Sequence, residues 1–147
     1  MYNKRIFTTT MQILFLGTSS MVPTKERNHS SILISAGSEG ILVDCGEGTQ
    51  RQLKIAGIKL SKVNKILISH WHGDHVLGLP GLIQSMSSSD YGKTLHIYGP
   101  KGTKKLVSKM FEVFAFEKKI EIEIHEISKG RFFENDDIVI AAERLEH

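Results

Sequence analysis

The chain has 147 residues, of which 40% are hydrophobic and 24% are charged, a composition that fits one ordinary globular domain and excludes a disordered chain. A single cysteine, Cys45, excludes an internal disulfide framework, and no apolar run approaches the roughly 20 residues of a membrane-spanning helix. The first ten residues lack the apolar core of a signal peptide, so we expect a cytoplasmic protein, and the net charge of +3 permits an anionic partner.

Short apolar runs separated by glycines organise the first half of the chain. Residues 1–10 lie outside this pattern, and we predict that they are an extension in front of a domain that starts at residue 11. The glycines of G-S-E-G favour a hairpin turn between two of the runs. The pattern predicts, in order, a buried strand, two paired strands, a helix and another buried strand at residues 12–17, 30–36, 41–44, 47–56 and 64–69.

The second half of the chain mixes helices with strands of a different pattern. Helical spacing predicts helices at 76–86 and 103–114, with a strand at 95–100 between them. Strict alternation in K-I-E-I-E-I-H-E-I predicts a half-exposed antiparallel strand whose isoleucines share one face, opposite a face with Glu123 and His125. Two short strands follow, and the whole chain is predicted to be α/β with a largely antiparallel end.

One stretch, I-S-H-W-H-G-D-H, crowds three histidines and an aspartate into six positions after an apolar run. On an extended chain, His70 and His72 point to the same side and can present two imidazoles to one ion. Gly73 would let the backbone turn and bring Asp74 and His75 to the same pocket, diverging towards a second ion. The spacing therefore predicts two metal sub-sites roughly 3.5–4 Å apart.

The chemistry of these ligands favours zinc, with manganese or iron as alternatives. The competing interpretation is a set of solvent-exposed or hydrogen-bonded histidines at the end of a strand. We prefer the metal site because deprotonated ligand groups crowded together need a cation to hold them there.

Three segments resemble the metallo-β-lactamase superfamily and, within it, the ribonuclease Z family. They are F-L-G-T-S-S-M-V-P-T-K-E-R-N, V-D-C-G-E-G-T-Q-R-Q-L and I-S-H-W-H-G-D-H-V-L-G-L-P-G-L. The resemblance implies an αββα sandwich, with residues 11–147 forming the N-terminal half of that sandwich. It also implies a zinc-dependent endonuclease that uses an activated water to remove the 3′ trailer from precursor tRNA, with a homodimer as its assembly.

The same resemblance assigns roles to individual residues. His70 and His72 would bind the first of two zinc ions, and Asp74 and His75 the second. Asp74 would also accept a proton from the attacking water. Asp44 would lie behind the ligands and orient a histidine or the turn, although capping of the following helix explains an aspartate there equally well.

The last residue, His147, stands where the family has its next metal ligand, and we expect it to complete the first zinc site. Leu-Glu-His at a chain end is also how a vector-derived purification tag can begin. The remaining ligands of the second zinc would come from the other half of the sandwich. We therefore predict that this chain alone lacks a stable second metal and is inactive or only feebly active.

Three interpretations follow from the sequence. The chain is the N-terminal portion of a ribonuclease Z acting on precursor tRNA, or it is another metallo-β-lactamase-fold phosphodiesterase. The third interpretation is a non-catalytic half-domain that assembles with a complementary C-terminal half or with a second copy of itself. The segment G-L-P-G-L-I-Q-S-M would serve as core in a monomer and as interface in a dimer.

Overall fold

The computed structural model describes residues 9–115, 117 and 119–145, and within these ranges the prediction of a mixed α/β chain is confirmed. The strands are β1 (Met11–Gly17), β2 (Ser31–Ala36), β3 (Glu39–Val43), β4 (Lys65–Leu67), β5 (Leu95–Gly99), β6 (Ile122–Glu126), β7 (Gly130–Glu134) and β8 (Val139–Ala142). The helices are α1 (Thr49–Ile55), α2 (Gly73–Val76), α3 (Leu79–Ser87) and α4 (Thr103–Val113), with a single 3₁₀ turn at Leu60–Lys62.

Six strands form one sheet in the order β1-β2-β3-β4-β5-β6. The first three strands are antiparallel, and the predicted hairpin joins β2 to β3 through Gly37, whose φ of 55° suits glycine. From β3 to β6, adjacent strands are parallel, and each connection between them contains a helical segment. The carboxyl ends of β3, β4 and β5 therefore meet at one edge of the sheet.

The two faces of the sheet are covered by different elements. One face packs against α1, α3 and α4, and Leu53, Leu82 and Val107 from these helices are fully buried there. The other face meets the antiparallel hairpin of β7 and β8, where Ile138 contacts a smaller cluster that includes Ile41. The described residues therefore form a layer of helices, a six-stranded sheet and the beginning of a second sheet.

Two strand predictions were wrong in part. Residues 12–17 form a strand, but it lies at the edge of the sheet, and Ile13 and Phe15 are 57% and 63% exposed instead of buried. The alternating strand at Ile122–Glu126 pairs with β5 in parallel, not antiparallel. Its faces are as predicted, with the isoleucines against the helical core. Alternation fixes which side chains share a face but not the direction of the neighbouring strand.

The predicted helix at 76–86 is two helices, α2 and α3, separated by Gly78. Gly73 does not make the sharp turn expected of it, because it begins α2 without a positive φ and the helix itself turns the chain. Residues 1–8 of the predicted extension lie outside the described residues. None of the described helices is long and apolar enough to cross a membrane.

Candidate metal centre

The histidine-rich stretch begins where β4 ends, at the edge to which the parallel strands direct their carboxyl ends. The backbone N–H of Ile68 donates to the carbonyl of Tyr98 at 2.8 Å, and that of Asp44 donates to the carbonyl of Leu67 at 2.8 Å. These bonds hold the start of the loop against both neighbouring strands. Ligand sites in parallel sheets are commonly found at this edge.

The four side chains of the motif come together as two pairs of donor atoms. His70 Nε2 lies 3.0 Å from His72 Nδ1, and His75 Nε2 lies 3.3 Å from Asp74 Oδ2. The rings of His70 and His75 are 4.2 Å apart between centroids, so the two pairs are adjacent. Two ligand atoms about 2.05 Å from one tetrahedral zinc ion lie about 3.3 Å apart, so each pair is close enough to share an ion.

Asp44 contacts both a histidine and the loop that carries the other ligands. Its Oδ2 lies 2.6 Å from Nδ1 of His75, and because a carboxylate only accepts, the imidazole must donate. Ser69 donates from its backbone N–H to Oδ1 at 2.8 Å and from its hydroxyl to Oδ2 at 2.9 Å. The capping position of α1 belongs to Gly48, which makes no side-chain cap. Asp44 thus fixes the tautomer of His75 and leaves its Nε2 lone pair facing Asp74.

A contact that the sequence does not predict holds Asp74 from outside the motif. The backbone N–H of Met21 donates to Asp74 Oδ2 at 3.0 Å, and this bond, with smaller effects of nearby histidines, lowers the pKa of Asp74. The carboxylate is therefore ionised at neutral pH. In this form it can bind a cation or accept a hydrogen bond from a water molecule. The only sequence signal for this loop is the G-T-S-S segment, which does not indicate which residue it contacts.

His29, in the segment R-N-H-S-S that follows the G-T-S-S loop, is 4% exposed. Its Nε2 lies 3.3 Å from the carbonyl of Met21, and within the described ranges its buried Nδ1 has no hydrogen-bond partner. The imidazole therefore supports the loop that holds Asp74. On the outer side of the same loop lies a cleft of about 340 Å³ with three basic side chains on its lining, those of Lys25, Arg27 and Arg51.

The D-C-G segment and the metal loop interlock through backbone contacts. Cys45 donates its N–H to the carbonyl of His75 at 2.8 Å and accepts from the N–H of Gly78 at 2.9 Å. A Cβ on Gly46 would lie 2.6 Å from the backbone oxygen of Asp74, a separation that only glycine allows. On the other side, Trp71 donates from Nε1 to the Thr103 hydroxyl at 2.9 Å, which ties the loop to the start of α4.

The donor set fits zinc because it combines imidazoles with a carboxylate held anionic, and because a second carboxylate orients one imidazole from behind. His147, the expected third ligand of the first ion, lies outside the described residues. Asp74 and His75, the two residues predicted for the second sub-site, lie side by side, with His75 Nε2 3.3 Å from Asp74 Oδ2.

Comparison with known proteins shows which family the chain belongs to and which proteins it is similar to. The family described as anti-Pycsar protein Apyc1 matches residues 11–138. The chain belongs to this family. The Apyc1-family chain is also 45% identical over 137 residues to the Ribonuclease Z of Methanothermobacter thermautotrophicus, covering 93% of this chain and 45% of that protein.

Solved structures show which fold the chain has. The crystal structure of human tRNase Z, short form, has a TM-score of 0.72 and 36% identity, over 80% of this chain and 45% of that one. The metallo-β-lactamase fold protein YhfI of Bacillus subtilis has a TM-score of 0.66 at 20% identity, over 84% of this chain and 48% of that one. The metallo-β-lactamase fold and the similarity to ribonuclease Z are therefore confirmed. The chain spans about half the length of the curated relatives that it matches.

Proposed function

We propose that this chain is the metal-binding half of a zinc-dependent endonuclease that removes the 3′ trailer from precursor tRNA. The observation that carries the proposal is the convergence of His70 with His72 and of Asp74 with His75 at the carboxyl end of β4. The identity of 45% to a Ribonuclease Z supports the choice of substrate. The buried, unpaired thiol of Cys45 suits the reducing cytoplasm.

In this proposal the chain's residues divide between holding metal and moving a proton. His70 and His72, with His147 as third ligand, would hold the first zinc, and Asp74 with His75 would contribute to the second. Zinc when bound lowers the pKa of water and stabilises negative charge on a phosphate. Asp74, kept anionic by the N–H of Met21, would orient the water and take its proton. Asp44 would keep the imidazole of His75 in the correct orientation.

The basic cleft beside the loop offers a contact for an RNA backbone. Lys25, Arg27 and Arg51 line this cleft. Beside it lies the loop that contains Met21, whose backbone N–H donates to Asp74. Phosphate contacts by lysine and arginine position a nucleic acid without reading its sequence. We propose that these side chains hold the precursor tRNA while its scissile phosphate lies at the metals.

Two ligands hold zinc weakly, so the second site needs more ligands than the two that the described residues bring to it. We propose that the domain at residues 11–147 works with a complementary C-terminal half, within a homodimer, and that the chain alone is inactive or feeble. In α3, Leu79, Leu82 and Met86 are fully buried, so this helix serves as core. Leu77, which precedes that segment, is 57% exposed and would lie in such an interface.

The experiment that tests this function replaces the matching N-terminal portion of the Methanothermobacter Ribonuclease Z with residues 11–147. We expect the chimera to cut precursor tRNA at the 3′ trailer, and Asp74→Ala in the chimera to abolish cutting. Asp90→Ala, which removes an exposed carboxylate on the same chain, is the matched control and should cut normally. A folded, zinc-loaded chimera that leaves precursor tRNA intact would contradict the proposal.

A second candidate is a phosphodiesterase of the same fold that acts on small nucleotides. The observation in its favour is that the matching family is named anti-Pycsar protein Apyc1 and not for a ribonuclease. The same chimera decides between them, because full hydrolysis of small cyclic phosphodiesters without cutting of tRNA would favour this second function.

A further inference from the structure

Two histidines and a glutamate that the proposed function does not use meet on the edge of the main sheet. The parallel register of β5 and β6 sets His96 opposite Glu123 and Tyr98 opposite His125. Alternate residues of a strand share a face, so all four side chains lie on the face away from the helical core. Sequence alternation predicted that Glu123 and His125 share a face, but it did not indicate that His96 lies beside them.

The donor atoms of this cluster form a nearly equilateral triangle. His96 Nδ1 lies 3.3 Å from His125 Nε2 and 3.3 Å from Glu123 Oε2, and His125 Nε2 lies 3.6 Å from the same carboxylate oxygen. Three atoms bound to one tetrahedral zinc ion at about 2.05 Å are separated by about 3.3 Å. The observed triangle therefore has the dimensions of one face of a zinc tetrahedron.

The surroundings hold the two imidazoles in place and keep the fourth position accessible. The ring of Tyr98 stacks on that of His125 at 4.6 Å between centroids and an interplanar angle of 18°. The side chain of Glu123 is 59% exposed, so water can reach the cluster.

This cluster is distinct from the metal centre at the H-x-H-x-D-H stretch. His96 pairs with Lys65 at the start of β4, whereas the histidine-rich loop follows the end of β4. His125 lies level with Leu67, the last residue of β4, so the cluster extends along the strands towards the loop but consists of residues of β5 and β6 only.

We propose that His96, Glu123 and His125 bind one zinc ion, with water as the fourth ligand. The ion would fasten β6, the edge strand of the six-stranded sheet, to β5. Because the three protein ligands come from two neighbouring strands, the ion would cross-link those strands and leave one coordination position to water. Binding of zinc to the folded state would then stabilise the fold by mass action.

The test uses the 147-residue chain with His70→Ala and His72→Ala, which weakens the other centre. We expect equilibrium dialysis at micromolar zinc to find one zinc ion per chain. Adding His125→Ala should lower the zinc affinity at least tenfold, and Glu123→Gln, which keeps the shape of an exposed side chain, should do the same. Glu121→Gln removes the same charge from the exposed residue just before β6, two positions from Glu123, and should leave the affinity unchanged.

Thermal unfolding supplies the second readout and shows whether each variant is folded. Zinc should raise the Tm of the chain with His70→Ala and His72→Ala, and of its Glu121→Gln derivative, but not of its Glu123→Gln derivative. The proposal is overturned if the chain with His70→Ala and His72→Ala binds no zinc. It is also overturned if removal of Glu123 or His125 changes neither the zinc affinity nor the rise in Tm. Neither result bears on the tRNA-cutting function, which depends on the other centre.

Discussion

Asp44 is the residue whose charge most directly controls the ligand geometry. Its carboxylate accepts from His75 and twice from Ser69, and its φ of 58° is a left-handed conformation that asparagine tolerates. Asp44→Asn should therefore fold but lose the charged partner of His75. We expect zinc affinity, measured by competition with a chromophoric chelator, to fall about 10–100-fold. Asp90→Asn is the control, and an equal affinity in both variants would show that Asp44 does not orient the ligand.

Cys45 sits between the metal loop and α1 and is fully buried. Burial raises the pKa of its thiol to about 12, so at pH 8 the group is protonated as well as inaccessible. We expect a disulfide reagent to leave the folded chain unlabelled at pH 8 and to label one thiol per chain after denaturation. Ser88→Cys adds an exposed thiol and should react at once. Fast labelling of the folded parent chain would contradict this burial.

Two loops, one with Gly46 and one with Asp74, pack so closely that position 46 of the D-C-G segment requires a glycine. An added Cβ at Gly46 would lie 2.4 Å from the Cβ of His29 and 2.6 Å from the carbonyl oxygen of Asp74, and neither can move easily. We expect Gly46→Ala to lower the free energy of unfolding by about 1–3 kcal/mol, measured in guanidinium chloride.

The matched control for that substitution is Gly81→Ala in α3. There the new Cβ would meet the end of the Gln50 side chain, which can rotate away, and alanine favours the helix. Gly81→Ala should be neutral or nearly so. If the Gly46→Ala variant is as stable as the Gly81→Ala variant, close packing of the two loops does not require glycine at position 46.

The sequence predicts those features that depend on residues close together in the chain, such as the faces of a strand or the spacing within a motif. The alternation of β6 predicted that Ile122 and Ile124 share the core face, and the H-x-H-x-D-H spacing predicted that its four side chains come together. What the sequence could not give is which strand or loop lies beside another. The exposed edge position of β1, the parallel pairing of β6, the bond from Met21 to Asp74 and the meeting of His96 with His125 all depend on non-local pairing.

For the whole molecule, the proposed RNA contact depends on the positive charges of the cleft. Arg27→Ala and Arg51→Ala should each weaken binding of precursor tRNA by the chain and reduce the salt dependence of the affinity by about one unit of slope. Lys105→Ala removes the same charge from an exposed position of α4 that does not line the cleft. Equal effects of all three substitutions would indicate general attraction to RNA and no cleft.

The function proposed for the whole molecule depends on the metal centre, which anomalous X-ray scattering at the zinc edge can detect in crystals of the chain soaked with zinc. We predict an anomalous peak about 2.0–2.1 Å from both His70 Nε2 and His72 Nδ1. The peak should disappear in crystals of the His72→Ala variant. If zinc-soaked crystals of the parent chain show no anomalous peak at these two nitrogens, the proposal that His70 and His72 bind zinc is wrong.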